Sequence, residues 1–402
     1  MHYAPRVDRV SGEGAEAWRI HGEAQAALSR GEDVIVMSVG DPDFATPAPI
    51  VDQAVRALQS GDTHYTGIEG RSALRRAIAA EAMRCGAPPV TEHNVIVLAG
   101  AQNALFTASL CLFSPGDDVV VLDPMYVTYD ATIGVSGAQL VRVPSEGDGG
   151  FRPDAQAIEA AITPRTRAIL FSTPANPSGV VMSREELTRI AEIAKRHDLW
   201  VISDEVYAEL TFEAEHCMIA GLPGMAERTV TVGSLSKSQA MAGWRIGWML
   251  APEALIGHAR NLALCMLYGL PGFIQEAATT ALTEARDQMD RMRDIYRRRR
   301  DLALEELRPA TKLTALSPQA GMFLLLDVRR TGLSALDFAW ALYRAEGVSL
   351  LDGAAFGPST AGFVRLSFAI GDDELQEGCR RICRFAERLA AGRAAEKAGS
   401  PV

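Results

Sequence analysis

Six short runs, at residues 94–98, 118–122, 139–143, 168–172, 199–203 and 229–232, are rich in Val, Ile and Leu and show no strict apolar–polar alternation. Strands that read this way are covered on both faces. Helical patterns lie between the runs. Ser183-Arg184-Glu185-Glu186 has the form of a capping box, with Leu187, Ile190, Ala191 and Ala194 as the apolar stripe behind it. A second stripe, Ile50, Val51, Ala54, Val55 and Leu58, stops at Gly61. Strand–helix repetition predicts an α/β fold with a mostly parallel central sheet and right-handed crossovers. Ligands of such sheets bind beyond the carboxyl ends of the strands. Five chemically loaded segments fall there: Gly100-Ala101-Gln102, Asp123-Pro124-Met125-Tyr126, Ser172-Thr173-Pro174-Ala175-Asn176, Asp204, and residues 234–237.

The last segment carries the most specific chemistry. Lys237 lies in Gly233-Ser234-Leu235-Ser236-Lys237-Ser238, just past a strand end, and Arg245 follows in Gly243-Trp244-Arg245-Ile246-Gly247. A lysine amine condenses with aldehydes, while hydroxyls and a guanidinium hold a phosphate dianion. Together they describe a Schiff-base site for pyridoxal phosphate. Taken alone, a Ser-Lys-Ser triplet is a solvated loop. Ser234 and Lys237 also have the Ser-x-x-Lys spacing of penicillin-binding acyl enzymes, but the Ser-Asp-Asn and Lys-Thr-Gly partners of that motif are missing from the sequence.

Further residues extend the site. Gly100-Ala101-Gln102 follows a strand and opens a helix, where free amides and the helix dipole favour an anion. No GxGxxG accompanies it, which argues against a dinucleotide fold. Asp204 ends a buried strand, where a carboxylate needs a partner; a protonated pyridine nitrogen would serve, and a helix N-cap is the plainer reading. Tyr207 and Asn176 are placed to meet the ring's phenolic oxygen, and Asn176 also a substrate carboxylate, although Asn176-Pro177-Ser178-Gly179 is equally a turn signal. Tyr126 has an aromatic face to stack on a flat ring, or is a core tyrosine. In Phe363-Val364-Arg365-Leu366-Ser367-Phe368, period-two alternation sets Arg365 opposite the apolar face, suited to reading an α-carboxylate or to lying exposed.

After residue 284 the pattern changes. A long charged helix, near 284–306, precedes apolar strands near 322–328 and 362–370. We expect an N-terminal segment, 1–47, packed with a small α+β domain, 289–402, beside a large domain, 48–288. The polar end beyond residue 391 should fray. A net charge of −10 opposes nucleic acid or an anionic membrane as partner. Six scattered cysteines without a CxxC pair, and seven unclustered histidines, predict no metal. With no apolar leader and no run long enough to span a bilayer, a cytoplasmic protein is expected.

Val39-Gly40-Asp41-Pro42-Asp43-Phe44, His64-Tyr65-Thr66-Gly67, Gly100-Ala101-Gln102, Asn176-Pro177-Ser178-Gly179, Ser203-Asp204-Glu205-Val206-Tyr207, residues 234–237, Gly243-Trp244-Arg245 and Val364-Arg365-Leu366 run in this order along nearly the whole chain. As a set they resemble the class I/II, fold-type I aminotransferases that use pyridoxal phosphate. The resemblance implies transfer of an α-amino group to a 2-oxo acid by a ping-pong route. It implies Lys237 as the Schiff-base lysine, Asp204 at the ring nitrogen, and Asn176 and Tyr207 at the phenolic oxygen. Ser234, Ser236, Arg245, and the Ala101 and Gln102 amides beside Gly100 would hold the phosphate; Tyr126 would stack on the ring; Arg365 and the Gly40 backbone would take the substrate carboxylate. Tyr65 would reach the phosphate of a neighbouring subunit, so a homodimer with composite sites is implied. Residues 124–129 and 261–269 further resemble bacterial arginine–pyruvate transaminases, which implies a basic donor. Aspartate, aromatic or neutral donors, and lyase chemistry on the same fold, stay open. Glu13, Glu16, Asp43 and Glu69 are candidates to meet a guanidinium, and Trp18 either lines the side-chain pocket or packs on the second lobe.

Overall fold

The structure, a computed structural model, describes residues 2–4, 6–10 and 15–398; the side chains of 15, 16 and 392–398 lie outside that description. Its main sheet has seven strands: β1 Val95–Leu98, β2 Asp118–Asp123, β3 Gln139–Pro144, β4 Thr166–Ser172, β5 Trp200–Asp204, β6 Thr229–Ser234 and β7 Gly247–Leu250. Their spatial order is β1-β7-β6-β5-β4-β2-β3. Pairings among β2 to β6 are parallel. β7 runs antiparallel to both β6 and β1.

Burial explains the unalternating sequence. Val119 and Val121 join Ile96, Leu170 and Ile202 in a core on one face of the sheet. Val120 and Leu122 join Ile169, Phe171 and Val201 in a core on the other face, against Leu187, Ile190 and Ala194 of helix Arg184–Arg196. The capping box forms: the Ser183 amide donates to Glu186 Oε2 at 2.7 Å, and the Glu186 amide to Ser183 Oγ at 3.2 Å. β7 lacks a sequence signal. It is four residues long, and it returns antiparallel after the one-turn helix Leu235–Ser238 instead of crossing over through a long helix.

The stripe from Ile50 to Leu58 divides in helix Ala48–Gln59. Ile50, Ala54 and Ala57 are buried, whereas Val51, Val55 and Leu58 face outward. The remaining helix packs against Gly272–Thr283.

A second, antiparallel sheet is built on Phe323–Asp327 and Phe363–Ser367, with Leu325 opposite Arg365. Short strands Thr314–Ala315 and Leu351–Asp352 flank them. The charged helix runs from Arg286 to Leu307, and its Tyr296 packs with Leu324, Leu326 and Leu366, as do Ile20, Ile35 and Met37 from the start of the chain. Ile35–Val36 pairs in parallel with Val348–Ser349. The last helix continues to Ala398, beyond the expected fraying point. No helix of the described residues is long and apolar enough to cross a membrane.

Candidate active site

Five strand ends converge on one cavity of about 340 Å³. β1 delivers Gly100 and the helix Ala101–Leu112; β2 leads to Tyr126; β4 leads to Asn176; β5 ends on Asp204; β6 ends on Ser234 and passes into the turn that carries Lys237. Arg365 and Phe323 close the cavity from the second sheet, and Gly40 and Asp41 from the N-terminal segment.

Lys237 Nζ donates to the Gly40 carbonyl oxygen at 2.6 Å. Burial lowers the amine's pKa to about 8; Asp41 opposes the shift, and the positive charges of Arg365 and Arg245 add to it. About a tenth of the amine is therefore neutral at pH 7, far more than for an ordinary lysine. Gly40 approaches so closely that a Cβ would run into the Phe323 ring, which requires glycine there. The Ser234 hydroxyl donates to the Ile246 carbonyl oxygen (2.9 Å) and lies 2.8 Å from Ser236 Oγ. Ser234 and Lys237 are thus directed at different partners, contrary to the nucleophile–base pair that an acyl enzyme needs.

The turn at Gly100 forms a corner whose groups suit an anion. Gly100 has φ +82°, and a Cβ on it would come 2.5 Å from Arg245 Nη2. Arg245 itself holds a left-handed conformation, φ 55°, and donates to the Ala242 carbonyl oxygen at 2.7 Å. The Ala101 and Gln102 amides lie in the first helical turn, where no intrahelical acceptor exists. The Gln102 carboxamide is engaged elsewhere, donating to Thr132 Oγ1 at 2.6 Å and accepting from Thr128 Oγ1 at 2.7 Å.

Asp204 is enclosed on the floor. Burial raises its carboxyl to about 6, against the stabilising hydroxyl of Tyr129, which donates to Asp204 Oδ2 at 2.8 Å. A cation beside it would return the carboxyl to its ordinary range. Arg365 is also buried, and desolvation lowers it to about 10. It donates from Nη1 to Asn176 Oδ1 (3.0 Å) and from Nη2 to the Ser38 carbonyl oxygen (2.9 Å), and lies over the Phe323 ring at 4.0 Å. Its Nε has no partner among the described residues. Because Asn176 gives its oxygen to Arg365, its NH2 remains for an acceptor; the Tyr207 hydroxyl interacts with the same side chain. Burial pushes Tyr207 upward, so it remains a donor.

Pyridoxal phosphate fits this donor set. Two helix-start amides, two hydroxyls and a guanidinium would hold its phosphate; Asp204 would pair with a protonated ring nitrogen, Lys237 would meet the aldehyde, and Tyr126 would bound the ring. Thirteen of the expected positions, Gly40, Gly100, Ala101, Gln102, Tyr126, Asn176, Asp204, Tyr207, Ser234, Ser236, Lys237, Arg245 and Arg365, gather at or beside this cavity. Tyr65, expected at the phosphate of a neighbouring subunit, lies apart from it: 85% exposed, 4.9 Å from the Tyr268 ring, in a different hollow.

Of the acids considered for a guanidinium, Asp43 pairs with Arg299 at 2.8 Å and Glu69 with Arg260 at 2.6 Å. Glu13 and the Glu16 side chain lie outside the described residues. Trp18 both lines the cavity and packs with Leu351 and Phe356. Sequence reasoning missed Tyr129, Ser38, Phe323 and Asp41. Tyr129 follows Tyr126 by three positions, but nothing local shows which carboxylate its hydroxyl reaches. One group with metal-ligand spacing occurs among the described residues, Glu81, Cys85 and Glu209. Arg84 and Arg286 already bind its carboxylates, and burial pushes the Cys85 thiol up.

Residues 32–382 match the family described as aminotransferase class I and II. The chain is 51% identical over 389 residues to the arginine–pyruvate transaminase of Pseudomonas aeruginosa, covering 97% of this chain and 99% of that protein. It is 34% identical over 370 residues to an aspartate aminotransferase of Musicola paradisiaca, covering 91% and 92% of the two. Among solved structures, a single mutant of Thermus thermophilus aspartate aminotransferase superposes with a TM-score of 0.91 at 32% identity, covering 96% of this chain and 100% of that one.

Proposed function

Because this chain belongs to the class I and II aminotransferases, which work with pyridoxal phosphate, we propose that it moves the α-amino group of a basic amino acid, arginine foremost, to pyruvate. The donor and acceptor follow the 51% identical relative of that printed activity. The observation that carries the reaction class is the meeting, in one cavity, of a buried amine, a buried carboxylate and a buried guanidinium.

Bound pyridoxal phosphate supplies an electron sink for the pair released when the donor's Cα–H bond breaks. Asp204 keeps a proton on the ring nitrogen through charge, and Tyr129 fixes the carboxylate by its hydrogen bond. Ser234, Ser236, Arg245 and the Ala101 and Gln102 amides after Gly100 hold the phosphate, and Tyr126 bounds the ring. Tyr207 and the Asn176 NH2 face the phenolic oxygen. Arg365, oriented by Asn176 and the Ser38 carbonyl, takes the α-carboxylate beside the Gly40 backbone. That contact fixes which Cα bond is presented for cleavage. Lys237 Nζ, neutral in part because it is buried, takes the Cα proton and delivers it on. The first product leaves before pyruvate enters, giving ping-pong kinetics.

The enzyme acts as a homodimer in this reading. Val51, Val55, Leu58, Leu264, Tyr65 and Tyr268 are exposed apolar side chains that a second copy would cover, with Tyr65 completing the partner's phosphate site. The divisions 1–47, 48–288 and 289–402 are part of the same proposal, supported by the separate core around Tyr296 and Phe338. A reducing, cytoplasmic setting suits the six free cysteines.

Purified holoenzyme given arginine and pyruvate should form alanine and 2-oxo-5-guanidinovalerate in equal amounts. Aspartate, aromatic and neutral donors assayed beside arginine rank the alternatives. Decarboxylation or elimination products, or no oxo acid from any α-amino acid, would overturn the proposal.

A further inference from the structure

The cavity contains five charged side chains: Asp41, Asp204, Lys237, Arg245 and Arg365. Four are accounted for by the ring nitrogen, the amine chemistry, the phosphate and the α-carboxylate. Asp41 is left over. It is exposed at the rim, next to the Gly40 carbonyl that Lys237 binds, and among the described residues it makes no ion pair at bonding distance. Its charge acts within the cavity on Lys237 itself. Once Lys237 is neutral or covalently engaged, the Asp41 charge faces the cavity without compensation. Of the acids that sequence alone nominated, the two whose side chains are described are already paired, Asp43 with Arg299 and Glu69 with Arg260.

The aromatic walls sort in the same manner. Phe323 already carries Arg365, and Tyr126 bounds the ring. Trp18, half-buried on helix Ala15–Ser29, meets the edge of His21 at 5.8 Å and an interplanar angle of 85°, and carries no cation among the described residues. Indole faces are the best aromatic acceptors for a guanidinium or ammonium group. His21 adds no opposing charge: burial and Arg365 depress its pKa.

We propose that Trp18 and Asp41 form the subsite for the donor's side chain, the indole taking the cationic group on its face and the carboxylate pairing with it. This selects amino acids that end in a guanidinium or ammonium group over uncharged chains of equal length. The inference rests on the transaminase reading above and adds the residues that read the side chain.

The test compares wild-type, Asp41→Asn and Trp18→Leu holoenzymes with arginine and with norleucine, a straight uncharged donor, each with pyruvate. For Asp41→Asn, the ratio of kcat/KM for arginine to that for norleucine should fall at least tenfold, mainly through KM for arginine, which should also lose its dependence on ionic strength. Trp18→Leu should lower the same ratio severalfold. An unchanged ratio in both variants overturns the subsite. So does an equal loss for both donors, which would assign Asp41 to the tuning of Lys237. Wild-type enzyme that accepts norleucine but not arginine sinks the subsite and leaves the transaminase reading standing. If wild type converts neither donor with pyruvate, the subsite and the assignment of arginine and pyruvate both fall.

Discussion

Burial lifts the Asp204 carboxyl from its usual range to about 6, which means that the cofactor-free protein carries a cost whenever this group is ionised. The folded-state pKa lies above the unfolded one. The group's favourable contribution is therefore complete below the unfolded value and is lost as pH rises through about 6. Asp204→Asn keeps an acceptor for Tyr129 but cannot ionise, so its apoprotein should be more stable than wild type at pH 7.5, by at most about 3 kcal/mol, and should bind pyridoxal phosphate at least tenfold less tightly. Denaturant midpoints of the two apoproteins at pH 3.5, 5 and 7.5 check the sign: the gap should be smallest at pH 3.5, partly open at pH 5 and widest at pH 7.5. Lys237 gives a second expectation. Its pKa is lowered to about 8, and only the neutral amine attacks an aldehyde, so the rate of holoenzyme formation from apoprotein should climb with pH through about 8 and then level off. Following the absorbance of the bound cofactor from pH 6 to 9.5 measures this. A rate still rising steeply between pH 9 and 9.5 would mean an ordinary surface-like lysine.

At the scale of elements, the phosphate corner depends on a strand ending in a left-handed residue and a helix starting immediately after it. Gly100→Ala meets both a positive φ and the Arg245 guanidinium 2.5 Å from the new Cβ. It should weaken cofactor affinity at least tenfold, read by titrating apoprotein. Ser183→Ala provides the contrast. Loss of that cap should cost about 1 kcal/mol of stability and leave cofactor affinity within twofold, because helix Arg184–Arg196 lines no part of the cavity. Equal cofactor losses in both variants would show that general destabilisation, not the corner, sets affinity.

Over the whole molecule, the outward half of helix Ala48–Gln59 is the feature a lone subunit does not explain. Val55 is 44% exposed and Leu58 42%, on a helix whose other side is fully packed. Val55→Asp would set a charge in the surface that we assign to the second copy, and burying an unpaired charge is costly. Sedimentation should show the dimer dissociating at concentrations where wild type stays intact, with activity falling alongside and the monomer's secondary structure retained. A variant that remains dimeric and active would move the interface elsewhere.

Much of this was legible in the chain because some information is local. Whether both faces of a strand are covered is written in its own residues: Val119 to Leu122 read as doubly buried and point alternately into two cores. The capping box is settled within four residues. Lys237, with hydroxyls before it and an arginine after it, announces its chemistry over a dozen positions. Other facts exist only once distant segments meet. The short antiparallel β7 is defined by its two neighbours rather than by its four residues. Tyr129 finds Asp204 across 75 positions, and Asp43 and Glu69 are claimed by arginines more than 190 residues away, which leaves Asp41, among the described residues, without an ion pair at the rim. The sequence alone determined periodicity and chemical type, since each depends on near neighbours along the chain. The tertiary structure decided which charges are neutralised and which remain available, because electrostatic partnership depends on distance in space.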